Sequence, residues 1–280
     1  MINYYLLTKP GIIFGNIVTM AAGFLLATRG TFHFWLFFTV LLGLALIIAS
    51  ACVFNNYIDR DIDKKMKRTE TRVLATGGMN AKHAIIFAVI LAIVGNLILA
   101  IYTNWLTVIL ANMGFGIYVI VYSLWKSRTV YGTAIGSLAG AIPPVVGYCS
   151  ISNRLDIGAA ILFMVMVLWQ MPHFFAIAIS HLHDYKAAGL PVLPVEKGVL
   201  RTKIHMIFYI LGFIFMVAML TFFHFTGYVY LIVALGINLF WLILCIRGLN
   251  TPNDQSWAKN MFRFSLVVIM TLCGMVFFNI

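Results

Sequence analysis

Long stretches without any charged residue alternate with short, densely charged clusters along this chain. The charge-free stretches run 10–28, 30–58, 83–125, 129–153, 157–183, 204–246 and 264–280. None has the strict apolar–polar alternation of an outer-membrane barrel strand. A helix needs about 20 apolar residues to cross a bilayer. Two of the stretches are therefore long enough for a pair of helices, divided at Thr103-Asn104 and at His224 to Gly227. The pattern predicts nine transmembrane helices over about 10–28, 34–57, 84–102, 105–125, 131–151, 157–180, 204–223, 228–247 and 262–279. The expected fold class is an all-α integral membrane protein, a single domain over 1–280 with acidic loops at about 55–82 and 181–203.

Composition sharpens this picture. Hydrophobic residues make up 62% of the 280 and charged residues 10%, with a mean hydropathy of +1.00. Soluble domains carry about 25% charged residues, so a soluble protein is excluded. The 19 Lys and Arg residues are distributed unevenly: all except Arg29 and Arg154 fall in alternate inter-helix segments. By the positive-inside rule this predicts a cytoplasmic N-terminus and, with nine spans, a C-terminus outside. The net charge of +11 is then mostly a cytoplasmic-face charge. It favours anionic headgroups and anionic substrates. The basic loops are short and lie against a bilayer, so nucleic acid is not an expected partner. The first span starts close to the N-terminus without a small-residue cleavage pattern, which reads as a retained span rather than a signal peptide. Cys52, Cys149, Cys245 and Cys273 lack metal-like spacing and read as core packing.

The candidate chemistry begins where the second helix leaves the membrane. On a helix Asn55, Asp59 and Asp63 are spaced by four and share one face, whereas Asp61 points elsewhere. Two carboxylates and an amide oxygen make a hard-oxygen site suited to Mg²⁺; a solvated acidic helix end is the plain alternative. Lys64, Lys65, Lys67, Arg68 and Arg72 follow at once. Oxygen ligands beside Arg and Lys donors are what a phosphate group needs. A loop serving orientation alone needs no acids. Yet Asp59, Asp61, Asp63, Glu70, Asp184 and Glu196, six of the eight acids, lie in the two inner loops. His181 and His183 are not at helical metal spacing and read as solvated.

Other polar positions are sparse. Lys126, after Tyr122, can reach a phosphate or anchor its helix. Lys9 can snorkel to headgroups, and Asn16 calls for a partner on another helix. Gly132, Gly136 and Gly140 form a tight-packing stripe, and Pro143-Pro144 should kink the fifth helix. Trp169, Gln170 and His173 sit at membrane depth beside the helix-breaking Pro172. No catalytic signal is visible after residue 203. No Asp, Glu, Lys or Arg lies mid-span, which argues against an ion-coupled transporter.

Two acid-bearing inner loops, after the second and sixth of nine helices, resemble the intramembrane prenyltransferase superfamily typified by 4-hydroxybenzoate polyprenyltransferase. Its first motif, Asn-Asp-x-x-Asp-x-x-x-Asp, reads here Asn55-Asn56-x-x-Asp59-x-x-x-Asp63, with Asn56 in place of the first Asp. Its second, Asp-x-x-x-Asp, keeps Asp184 but has Ala188 four residues on. With Arg72-Val73-Leu74, the 169–174 segment and the 184–194 segment, the set resembles the haem-farnesylating branch from Thr8 to about Gly198. The resemblance implies a central cavity open to the cytoplasmic side. The implied reaction moves the farnesyl group of farnesyl diphosphate to a vinyl side chain of haem B and releases diphosphate. It implies Mg²⁺ on Asn55, Asp59, Asp63 and Asp184, with Arg68, Arg72 and Lys126 on diphosphate oxygens. Asp59, Asp63, Arg72, Lys126 and Asp184 would be catalytic. Tyr57, Tyr122 or Trp169 would face the allylic cation, and His173 would contact haem iron. A bacterial inner membrane is the implied location, with haem A synthase or a terminal oxidase as assembly partners. A prenyltransferase acting on another aromatic or quinone precursor is the alternative.

Overall fold

The computed structural model describes residues 2–28 and 30–278. Arg29, one of the two cations expected outside, and residue 279, the predicted end of the last span, lie outside the described residues. The described residues form helices and turns, without strands. In chain order the helices are α1 (Ile2–Leu7), α2 (Pro10–Thr28), α3 (Phe34–Asp63), α4 (Ala81–Tyr102), α5 (Trp105–Gly116) and α6 (Ser123–Trp125). They continue with α7 (Gly132–Gly140), α8 (Ile142–Ser152), α9 (Ile157–Ser180), α10 (Leu182–Ala187), α11 (Leu193–Glu196), α12 (Val199–Phe222), α13 (Tyr228–Arg247) and α14 (Asp254–Phe277). Among the described residues nine spans are long and apolar enough to cross a membrane.

The observed spans are longer at their charged ends than hydropathy predicts. The seventh begins at Val199 and the ninth at Asp254. The second runs on to Asp63, because residues 55–63 contain no Gly or Pro to stop it. Its 30 residues make a rod of about 45 Å, longer than the roughly 30 Å hydrocarbon core. The last turns of α3 can thus carry carboxylates clear of the lipid. Several starts are fixed by side-chain caps. Asn80 accepts from the Lys82 N–H, Asn104 from Thr107, Asp156 from Gly158 and Ala159, and Asn253 from Ser256.

The fifth span breaks as expected: α7 ends at Gly140, and α8 restarts with Pro143 and Pro144 in its first turn. The sixth span is continuous over Ile157–Ser180, as its predicted bounds of 157–180 require, although Pro172 lies inside it. Neighbouring helices in a membrane protein tolerate such a proline. In the fourth span a π-helical segment, Ile117–Tyr122, joins α5 to α6. Hydropathy alone carries no sign of it.

Packing depends on glycine where backbones meet. α2 runs along α8, and a Cβ on Gly23 would lie 2.0 Å from the Pro144 carbonyl oxygen, one on Gly147 2.1 Å from that of Met20. α3 lies against α4, with Gly43 facing Gly95 and the Ser50 hydroxyl donating to the Ala88 carbonyl at 2.7 Å. α9 packs against α12 and α14. Asn16 needs no second helix: its amide donates to Ile12, one turn back, at 2.7 Å. The four cysteines are buried and free. Large apolar side chains such as Trp35, Ile101, Phe215 and Ile232 point outward, as a surface bathed in lipid requires.

Candidate active site

The helix pair α2/α8 and the inner faces of α3, α5, α7, α9 and α14 enclose a cavity of about 740 Å³. One end is polar, and α3 builds most of it. Asn55, Asp59 and Asp63 all line the cavity and all are buried. Asp61 is exposed, pairing with Lys64 at 3.0 Å. A helix C-terminus carries partial negative charge, and α3 adds two carboxylates to it. Cations therefore gather there. Arg72 donates from one Nη1 to both oxygens of Asp63 at 2.9 Å. Lys126 pairs with Asp59. Lys9 donates from Nζ to Asn55 Oδ1 at 2.6 Å.

Lys9 corrects the sequence reading. It takes a left-handed conformation, φ 52°, and turns its ammonium into the site instead of outward to headgroups. Burial, reinforced by Arg72, pulls its pKa down to about 8. Nothing in its flanking residues announces this. Asn56, where the chain departs from the superfamily motif, is turned toward α1: its amide donates to the Leu7 carbonyl at 2.8 Å.

The loop after α3 is not loose. It folds into successive turns with Met66, Thr69, Leu74 and Ala75 buried. This brings Arg68 to the cavity wall and its backbone N–H to Asp184 Oδ2 at 3.3 Å. The two acidic loops therefore meet on one side of the bundle. Asp184 itself stands behind that contact, 3.8 Å from His181 Nδ1, and is not among the cavity-lining residues. Tyr185 and Leu190 line the cavity from the second loop, and burial raises the Tyr185 phenol above its usual range. Glu196 and His183 are exposed.

Aromatic rings continue from the polar end. Tyr118 and Tyr122 stack at 5.5 Å with 14° between planes. The π segment puts both on the cavity, and Ser123 Oγ donates to the Tyr118 carbonyl. The Gly136 backbone leaves room for the Tyr122 ring, and Gly140 for the Gln170 amide, where a Cβ would meet Oε1 at 2.1 Å. Trp169 and His173 stack at 4.8 Å. Tyr57 does not take part; it lies under Arg60, away from the cavity-lining set.

The far wall comes from α14, where sequence offered no signal. Trp169 Nε1 donates to the Ser265 carbonyl at 2.9 Å, and His173 Nδ1 lies 2.7 Å from Ser265 Oγ. That hydroxyl donates its own proton to the Phe262 carbonyl at 2.6 Å, so it accepts from the imidazole. Nδ1 then carries the proton, and Nε2 keeps a lone pair. The positions carrying this wall, such as Phe262, Ser265 and Ile269, are apolar or hydroxylic, which is why sequence reading passed over them.

A divalent cation fits the donor set. Asp59 Oδ1 is buried without a hydrogen-bond partner, an orphan that a metal ion would satisfy. Asn55, Asp59 and Asp63 supply the oxygen chemistry Mg²⁺ prefers.

The UbiA prenyltransferase family pattern matches residues 16–267. A protein of Protochlamydia amoebophila named protoheme IX farnesyltransferase is 62% identical over 273 residues, 97% of this chain and 96% of its own. One of Yersinia pseudotuberculosis with the same name is 51% identical over 278 residues, 99% and 94% of the two chains. Among solved structures, a digeranylgeranylglyceryl phosphate synthase superposes with TM-score 0.81 at 17% identity, covering 98% of this chain and 96% of that one. A UbiA homologue from Archaeoglobus fulgidus bound to DMAPP and Mg²⁺ superposes with TM-score 0.76 at 18% identity, covering 95% and 99%.

Proposed function

Because the chain belongs to the UbiA prenyltransferase family, we propose that it transfers the farnesyl group of farnesyl diphosphate to a vinyl side chain of haem B, giving haem O and diphosphate. The observation that carries this reading is the 62% identity to a protoheme IX farnesyltransferase over 97% of the chain. The division of the cavity into a charged end and an apolar, aromatic remainder supports it.

The allylic C–O bond breaks, leaving its electron pair on diphosphate. The vinyl carbon attacks the allylic carbon, and water adding to the resulting benzylic-type cation loses a proton to give the hydroxyethylfarnesyl group. Charge developing on the diphosphate must be met by groups already in place, usually the largest catalytic contribution. Arg68, Arg72, Lys126 and Lys9 take that role at the polar end. Lys126 and Arg72 pair with Asp59 and Asp63 in the free protein, so the cations are held ready by the carboxylates. Asn55, Asp59 and Asp63 would hold Mg²⁺, with Asp184 bracing or completing the shell from the second loop. Mg²⁺, when bound, supplies further charge neutralisation on the leaving group.

The farnesyl chain lies along the apolar part of the cavity, whose walls exclude water that would otherwise quench the allylic cation. Tyr122, Trp169 and Tyr118 present ring faces worth about 0.5–2 kcal/mol each to a cation. His173, with Nε2 unprotonated, contacts haem iron. Loss of the haem-bound spectrum in His173→Ala is the expected result, and an unchanged spectrum and affinity would remove that role.

The Lys and Arg distribution supports a cytoplasmic N-terminus, an outer C-terminus and a polar cavity end facing the cytoplasm of a bacterial inner membrane. Haem A synthase or a terminal oxidase would receive the product, and residues 1–280 act as one domain. The direct test is incubation of purified protein with haem B, farnesyl diphosphate and Mg²⁺, followed by mass spectrometry of the porphyrin. Prenylation of 4-hydroxybenzoate in place of haem B would favour the quinone-precursor reading.

A further inference from the structure

A second pocket of about 300 Å³ adjoins the cavity, sharing Arg68, Ile177 and Phe262 with it. Its remaining wall is Ser180, His181, Lys259 and Arg263. Among the described residues no carboxylate lies within ion-pair distance of the Arg68, Lys259 or Arg263 side chains. The carboxylate nearby, Asp184, accepts the backbone N–H of Arg68 and faces His181. Positive charge is therefore in excess. His181 is held below the ordinary imidazole range by burial and by Arg68 and Lys259, against the opposing pull of Asp184.

Helix geometry ties this pocket to the aromatic wall. On α14, Phe262 and Ser265 turn toward His173, at 4.9 Å and 2.7 Å. Lys259 and Arg263 flank Phe262 on the same helix, three residues before it and one after. A flat ring resting on His173 and Phe262 would thus present an edge to these cations.

Resting on the haem reading above, we propose that His181, Lys259 and Arg263 of this pocket receive the propionate carboxylates of haem B, while Arg68, on the wall shared with the cavity, stays with the diphosphate. The vinyl and propionate groups occupy opposite sides of that macrocycle, so gripping the propionates leaves the vinyl edge free to face the prenyl donor. The pocket discriminates for a dianionic macrocycle against neutral aromatic acceptors.

The test titrates haem B and its dimethyl ester into the full-length protein in phosphatidylcholine nanodiscs, followed by absorbance. The parent is compared with the Lys259→Gln/Arg263→Gln double variant, both positions being exposed. The parent should bind the diacid at least about tenfold tighter than the ester, as expected for lost charge-assisted hydrogen bonds. The double variant should lose that preference while its KM for farnesyl diphosphate stays unchanged. Equal affinity for diacid and ester in the parent would overturn the proposal and leave these cations to lipid headgroups. A parallel loss of farnesyl diphosphate affinity would overturn it in favour of a diphosphate role. A parent that farnesylates haem B while the double variant keeps full haem affinity defeats this inference alone. A parent that neither binds nor farnesylates haem B defeats the functional reading as well.

Discussion

At the scale of single residues, the site is a problem of like charges made stable. Asp59 and Asp63 are buried one turn apart at the negative end of a helix dipole. Lys126, Arg72 and Lys9 hold them and Asn55 in the free protein. Asp59→Asn keeps the shape and removes the charge. Its kcat should fall by about 2.7–4 kcal/mol of barrier, by analogy with a lost oxyanion donor, with helical circular dichroism retained. Near wild-type turnover at saturating Mg²⁺ would release Asp59 from its role. Lys9→Gln should raise KM for farnesyl diphosphate by about 1.5–3 kcal/mol, the worth of a charged hydrogen bond. An unaltered KM would return Lys9 to a purely structural tie on Asn55.

At the scale of elements, close backbone approach sets where the walls stand. The α2/α8 crossing leaves no space for a methyl at Gly147. Gly147→Ala should destabilise the protein by about 1–3 kcal/mol through overpacking, read as a lower melting temperature in detergent. Gly236→Ala on α13, with nothing within 4 Å of the added carbon, is the control and should be neutral or slightly stabilising. Gly140 and Gly136 border Gln170 and Tyr122, so the glycine stripe visible in the sequence seats cavity side chains as well as helices. The break at Ala141 was legible from Pro143-Pro144. The π segment was not, because its residues, Ile117 to Tyr122, have an ordinary apolar composition.

At the scale of the whole molecule, charge distribution and metal dependence make separate predictions. A reporter fused after the last span should be active only outside the cytoplasm; cytoplasmic activity would mean an even span count. Chelation by EDTA should abolish farnesyl transfer, and Mg²⁺ should restore it. Transfer persisting in EDTA would leave Lys9, Arg68, Arg72 and Lys126 as the whole of the diphosphate site.

What the sequence determined by itself was local. Span number follows from runs of apolar residues, and the shared face of Asn55, Asp59 and Asp63 follows from helical spacing, since both depend on near neighbours alone. What only tertiary structure decided was which distant groups meet. The Arg68 N–H reaches Asp184 across 116 residues, and His173 meets Ser265 across 92. Lys9 turns inward instead of outward, and α14, through Phe262, Ser265 and Ile269, becomes the far wall. Such contacts are selected by how helices pack in three dimensions, and packing leaves little trace in a hydropathy pattern where nearly every face is apolar.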